Sequence, residues 1–195
     1  MVGEWPSAPD ARDVQPGAPD RLAADVSMSG EERIEQVLAE HGALVRRVAA
    51  TYERDPAARE DLLQEILLAL WRALPRFRGE SSERTFVLRV AHNRGLTHAF
   101  RRRPRGLPLD EAGEVADPGP GPERSATLAQ RRERLLGALH RLPLATRQIL
   151  SLGLEGLSGA EIAALLGITE NNANVRLSRA RRALRAELER GGELP

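Results

Sequence analysis

The apolar residues of this chain recur at helical spacing, and no segment shows the alternation of a half-buried strand. Ser29 and Glu32 form a capping-box start, in which a hydroxyl and a carboxylate satisfy each other's backbone amides. A helix is predicted from Gly30 to Tyr52. Arg54-Asp55-Pro56 breaks it, and Asp55 suits the cap of a second helix running through Leu74. Pro75 to Ser82 reads as a loop, and a third long helix is expected over Glu83 to Arg103. Pro104 to Ser125 is rich in Pro and Gly, which oppose helix and strand alike. Helices resume near Ala126, stop at Leu142 before Pro143 and restart near Leu144. Ser158 and Glu161 make a second capping box, Gly167 stands where a C-cap glycine belongs, and Thr169 caps a last helix over Glu170 to about Arg190. The predicted fold class is all-α. Two small helical domains, residues 30–103 and 126–192, are joined by a flexible acidic linker at 104–125. A tail, residues 1–29, precedes them, too rich in Pro, Ala, Asp and Gly to bury a face.

Two helices carry more than a core stripe. In the last one, at about 100° per residue, Ala173, Leu177, Ala180 and Leu184 gather within about 60° and predict a narrow buried face. The opposite face holds Asn171, Val175, Ser178, Arg179 and Arg182, flanked by Asn172, Arg176 and Arg181. Ser158 to Thr169, a short helix, a glycine turn and a new cap, precedes it, which is the layout of a helix-turn-helix. Asn pairs bidentately with adenine, Arg with guanine, and an exposed valine fits a thymine methyl. Val175 reads equally as an incidental exposed residue. In the second helix, Leu62, Leu63, Ile66, Leu70 and Ala73 form the core stripe. Asp61, Gln64, Glu65, Leu68, Trp71 and Arg72 gather on another face. A Leu and a Trp among carboxylates off the core suit a protein-binding surface. Packing on the first helix is the alternative.

Composition narrows the chemistry. Aromatic content is 3%, so the cores must be aliphatic. The chain has no cysteine, hence no disulfide or thiolate metal site, and no apolar run long enough to span a membrane. The first residues lack the apolar stretch of a secretory signal, so a cytoplasmic location is expected. All 29 basic residues are arginine. Genome composition explains that more readily than a need for guanidinium forks, which suit phosphate and guanine. The net charge of +1 conceals a partition: Gly30 to Arg103 has 14 basic against 11 acidic residues, and Ala129 to Pro195 has 11 against 7. The tail and linker are acidic. His41, His92, His98 and His140 are scattered without zinc-ligand spacing, and there is no phosphate-binding loop with lysine. Neither an enzyme nor a metal or other cofactor is expected.

The stretch DLLQEILLALWRALPRFRGESSERTFVLRVAHNRGLTHAFRRR resembles the second conserved region of bacterial sigma factors. EGLSGAEIAALLGITENNANVRLSRARRALR resembles their fourth region. Their order, with a linker between, resembles the small extracytoplasmic-function (ECF) group. The likeness covers Glu40 to Arg103 and Arg131 to Leu188. It implies a subunit that binds RNA polymerase core and directs it to promoter DNA, with an anti-sigma protein as a further candidate partner. It places Asp61, Gln64, Glu65, Leu68 and Trp71 on the surface that docks on the clamp of the largest polymerase subunit. It makes Phe77, Arg78, Gly79, Glu80 and Ser81 the loop that, with Asn93, pockets a base flipped from the minus-ten strand. Arg89, Arg94, Arg101 and Arg102 would hold phosphates there, although a solvated helix end suits Arg101 and Arg102 equally. It assigns Asn171, Asn172, Asn174, Val175, Ser178 and Arg179 to the minus-thirty-five duplex, where Arg176, Arg181 and Arg182 of the same helix can neutralise phosphates.

Two departures bear on that likeness. Phe86 stands where the family usually has Trp, which keeps a ring but removes an N–H donor. Asn171 to Val175 replaces a Gly-Thr-Val-Lys-Ser type sequence, so a different base preference is expected. Two rival readings stay open: a helix-turn-helix regulator that acts without polymerase, and a sigma mimic that binds an anti-sigma protein without supporting transcription.

Overall fold

The computed structural model describes residues 30–102 and 128–190. The expected tail, the Ser29 cap and the linker lie outside the described residues. Among the described residues seven α-helices follow in order: α1 Gly30–Tyr52, α2 Pro56–Ala73, α3 Glu83–Arg102, α4 Leu128–Arg141, α5 Leu144–Leu154, α6 Gly159–Leu166 and α7 Glu170–Arg190. A 3-10 turn, Leu74–Arg76, closes α2. Among the described residues there is no strand, and no helix is long and apolar enough to cross a membrane.

Local chemistry sets these boundaries. The Asp55 carboxylate accepts the Ala58 amide at 2.8 Å, and Pro56, whose missing N–H costs nothing in a first turn, opens α2. Ser158 and Glu161 form the reciprocal capping box at 3.2 and 2.8 Å. Gly167 adopts φ 66°, the left-handed conformation that ends α6, and the Thr169 hydroxyl accepts the Asn172 amide at 3.3 Å to open α7. Helix α2 ends at Ala73, one residue short of the expected Leu74, where the 3-10 turn begins, and the expected start near Ala126 lies outside the described residues.

Helices α1, α2 and α3 bury Val37, Val45, Val48, Leu62, Ile66, Leu70, Val87, Leu88 and Ala91 against one another. Each fully buried Leu or Ile contributes roughly 1.5–3 kcal/mol. Helices α4 to α7 close a second centre around Ala138, Leu150, Leu152, Ile162 and Ala173. One polar pair sits deep in the first core. Tyr52 packs edge-on against His92, with centroids 5.6 Å apart, and its hydroxyl lies 2.7 Å from His92 Nδ1. Burial pushes the Tyr52 phenol far up, so it keeps its proton, and pushes the His92 imidazole down to about 3. A neutral phenol donating to a neutral imidazole puts no charge in the core.

The two helical groups also touch. The end of α1 packs on α4 and α5. Thr51 and Ser151, both buried, pair hydroxyl to hydroxyl at 3.2 Å. His140 Nε2 donates to the Ala50 carbonyl at 2.8 Å, while its Nδ1 accepts from Arg147 at 3.0 Å. That arrangement requires neutral imidazole. Burial, reinforced by the Arg147 guanidinium, holds His140 down at about 4.

Gly95 lies against the Tyr52 ring, and a Cβ there would come within 2.6 Å of Cε2. Gly95→Ala is expected to destabilise the fold by roughly 1–3 kcal/mol through overpacking, read as a lower urea midpoint. His92 and His140 have folded pKa values below the ordinary 6.5. Between the two values the unfolded chain binds protons that the folded chain refuses. Stability is therefore full above about pH 6.5 and falls as the pH drops through about 4. His140→Gln should give a shallower fall of melting temperature over that window, and a slope equal to the parent's would refute the account.

Candidate nucleic-acid interface

Helix α7 is held by one narrow stripe. Ala173, Leu177, Ala180 and Leu184 are buried against α5 and α6. Leu177 fits beside Gly153 of α5, where a Cβ would stand 2.5 Å from Leu177 Cδ1. The far side faces solvent: Asn171, Val175, Arg176, Ser178, Arg179 and Arg182 are all exposed, and Asn172 is half-buried. Val175 is 41% exposed, an apolar residue set among amides and guanidiniums. Asn174 is also exposed, but its amide leans over Gly159 at the start of α6, with Nδ2 2.9 Å from where a Cβ would stand. It therefore sits between the two helices of the helix-turn-helix, apart from the outward amides. Further along, Ser178, Arg181, Arg182 and Arg185 line a shallow cleft. At the entrance to α6, hydrogen bonds from Ser158 hold the Glu161 carboxyl below its usual range, with a smaller effect from Arg84.

The second exposed face lies on α2. Asp61 and Gln64 are exposed, and Leu68 and Trp71 are 47% and 50% exposed. The alternative that this face packs on α1 does not hold, although the Trp71 indole borders the first residue of that helix, near Gly30. Glu65 departs from the set. It turns towards α3, where its carboxylate lies 3.7 Å from Arg94, 3.8 Å from Arg101 and 3.8 Å from His98 Nδ1. Glu65 finds its cations on the neighbouring helix α3.

The loop between α2 and α3 is anchored by aromatic rings. Phe77 packs on Phe86 with centroids 4.6 Å apart and an interplanar angle of 35°. Gly79 has φ 74°, which favours glycine, and Arg78 and Glu80 beside it are exposed while Ser81 is half-buried. Phe86, Arg89 and Asn93 fall at i, i+3 and i+7 of α3, hence on one side of it, and the Phe77 ring joins that side. Arg89 and Asn93 are exposed. Arg94, Arg101 and Arg102 lie nearer the carboxylates. Arg102 is 3.2 Å from Glu53, which also takes His98 at 3.2 Å.

Sequence spacing missed two clusters because their members come from different helices. Glu53 and Glu65 collect His98 and three arginines at the end of α3. Glu40, His41 and Glu83 bring potential ligand atoms within 4.8 Å of one another, with His41 Nε2 3.2 Å from Glu83. Arg33 pairs with the same Glu83 carboxylate, so that carboxylate already has a cation. Among the groups that α7, the loop and α3 expose to solvent are amides, hydroxyls and guanidiniums, which suit base edges and phosphates.

Comparison with known proteins bears on this arrangement. Residues 37–105 match Sigma-70 region 2, and residues 132–184 match Sigma-70, region 4. RNA polymerase sigma factor CnrH of Cupriavidus metallidurans is 29% identical over 190 residues, spanning 92% of this chain and 100% of that protein. ECF RNA polymerase sigma factor SigD of Mycobacterium tuberculosis is 33% identical over 153 residues, 76% of this chain and 71% of that protein. Two solved structures share the fold. CnrH in complex with the cytosolic domain of CnrY gives a TM-score of 0.61 at 24% identity, covering 86% of this chain and 95% of that one. The sigma factor RpoE in complex with the anti-sigma factor NepR from Bartonella quintana gives 0.62 at 22% identity, covering 81% and 98%. With both regions matched in order, and a relative of the ECF group aligned along most of its length, the chain belongs to the ECF group of RNA polymerase sigma factors.

Proposed function

We propose that this sigma factor works as a two-site promoter reader docked on RNA polymerase core. The domain of residues 30–103 docks through Asp61, Gln64, Leu68 and Trp71 on the clamp of the largest subunit. The same domain takes an unstacked minus-ten base against Phe77 to Ser81 and Asn93, where an amide can read a base edge once the base has left the stack. Arg89, Arg94, Arg101 and Arg102 hold phosphates. The domain of residues 126–192 reads the minus-thirty-five duplex through Asn171, Asn172, Val175, Ser178, Arg179 and Arg182, with Arg176 on phosphate. Asn174 acts there mainly by setting the angle between α6 and α7. The polymerase performs the chemistry, the chain itself catalyses nothing, and its place of action is the cytoplasm.

The observation that carries this reading is the outward face of α7. An exposed valine flanked by asparagine, serine and arginine, opposite a buried Ala/Leu stripe, is a surface built for a groove. The exposed Leu68 and Trp71 pair supports polymerase docking, since an aromatic and a leucine left in water at the centre of a polar face are the composition of an interface anchor. An anti-sigma protein is the natural third partner, because the structural relatives above were solved with the cytosolic domain of CnrY and with NepR.

Reconstitution with core polymerase tests the whole reading, and absence of promoter-specific transcripts would overturn it. Trp71→Ala is expected to weaken binding to core by at least about tenfold, as loss of an interface anchor does, while leaving duplex binding by the C-terminal domain unchanged. Arg179→Ala should cost roughly 1–3 kcal/mol on its preferred promoter and relax preference at one minus-thirty-five position. A promoter profile identical to the parent's would remove Arg179 from the reading set.

A further inference from the structure

A single carboxylate ties the two domains together. Glu155, just past the end of α5, receives Arg47 of α1 in a fork, Nε to Oε1 and Nη2 to Oε2, both at 2.7 Å. Arg84, in the first turn of α3, lies 3.6 Å from the same Oε2 that Arg47 Nη2 binds and donates to the Glu155 carbonyl. The Glu155 side chain is only 8% exposed, so the pair is shielded more than the half-open arginines imply. Around it lie the buried Thr51–Ser151 pair, the His140–Ala50 hydrogen bond and Arg147 reaching the Thr51 carbonyl at 3.3 Å. This contact is hydrogen-bonded and rich in small residues. Water can replace each of its bonds on opening, so it suits reversible docking better than a permanent core.

Arg84 stands three residues beyond Ser81, the last residue of the minus-ten loop. The carboxylate therefore fastens the base of the helix-turn-helix to the root of the strand-capturing surface. A protein that engages an upstream duplex and a downstream single strand must hold its domains at the separation the DNA dictates. The 25 residues between Arg102 and Leu128 can span at most about 90 Å, so the covalent link permits separation. The same tether keeps the local concentration high enough for this contact to close in the free chain.

We propose that Glu155, gripped by Arg47 and Arg84, is an intramolecular latch that closes the free chain and releases when the domains move apart on the polymerase and promoter. The latch rests on the two-site reading above, because only that reading requires the domains to part.

The test is a distance measurement. The chain has no cysteine, so Ala39→Cys and Ala164→Cys, both at exposed positions, accept a donor and an acceptor dye in the full-length protein. The parent should show a short, narrow distance distribution alone and a long one with core polymerase and promoter DNA. Glu155→Gln and Arg47→Ala should each raise the open-to-closed ratio of the free chain by about tenfold, as loss of a charge-assisted fork does. Added salt should open the parent towards the same state. Circular dichroism matching the parent's excludes unfolding as the cause. Distance distributions of both variants equal to the parent's at low salt would overturn the latch, as would a parent that stays closed on the promoter complex. If the parent fails to start transcripts with core polymerase, the functional reading fails instead, and the dye distances of the free chain still decide whether the latch exists.

Discussion

The structure depends on burying the second half of α1 on more than one side. A surface helix buries one stripe and leaves the rest to water. From Val48 to Tyr52 every residue of α1 is buried. Val45, Val48 and Tyr52 belong to the core with α2 and α3, while Ala50 and Thr51 meet α4 and α5. Two cores can share one helix only if the residues on the shared side are small, because side-chain size at the contact sets the distance between helix axes. Ala50 and Thr51 meet that demand, and Thr51 turns its hydroxyl inward to its own chain, 3.0 Å from the Arg47 carbonyl, as well as to Ser151.

Helix starts and stops were legible because caps are local chemistry. Asp55, Ser158 with Glu161, Gly167 and Thr169 each act within a few residues of themselves, and each does so as their spacing predicts. The α7 stripe was legible for the same reason, since a period of 3.6 is written into consecutive residues. Contacts between distant segments were not. Arg47 and Glu155 are 108 residues apart, and Arg84 and Glu155 are 71 apart. Nothing in either neighbourhood marks them as partners. Glu65 shows the same blindness on a smaller scale: angular position on α2 put it with Asp61 and Trp71, while its actual surroundings come from α3. The four histidines carried no pattern along the chain, yet in space each settles at a seam between helices, beside Glu83, Tyr52, Glu53 or Ala50.

The basic residues show how an almost neutral chain can still present a cationic surface. The 28 acidic residues nearly match the 29 arginines, but they are not spread evenly around them. Glu53, Glu65 and Glu155 lie low between helices, at 12%, 34% and 8% side-chain exposure, while Arg101 and Arg102 reach 64% and 54% into solvent. At these three sites the carboxylates form the floor and the guanidiniums the outer layer. Because the carboxylates are largely shielded, removing an arginine would leave a charge without a partner, so these are not the weak ion pairs of an open surface.

Gly153 provides a mechanical connection. Its missing side chain admits Leu177, so α5 and the DNA-facing helix α7 interlock as a knob in a notch. Two residues to either side of that notch, on the same short helix and its cap, Ser151 and Glu155 press against the N-terminal domain. Helix α5 is thus an eleven-residue lever with one arm on each domain. Close-packed interiors transmit displacement instead of absorbing it. In the closed free chain, a tilt imposed at the domain seam is therefore passed to α7 through the Gly153–Leu177 contact.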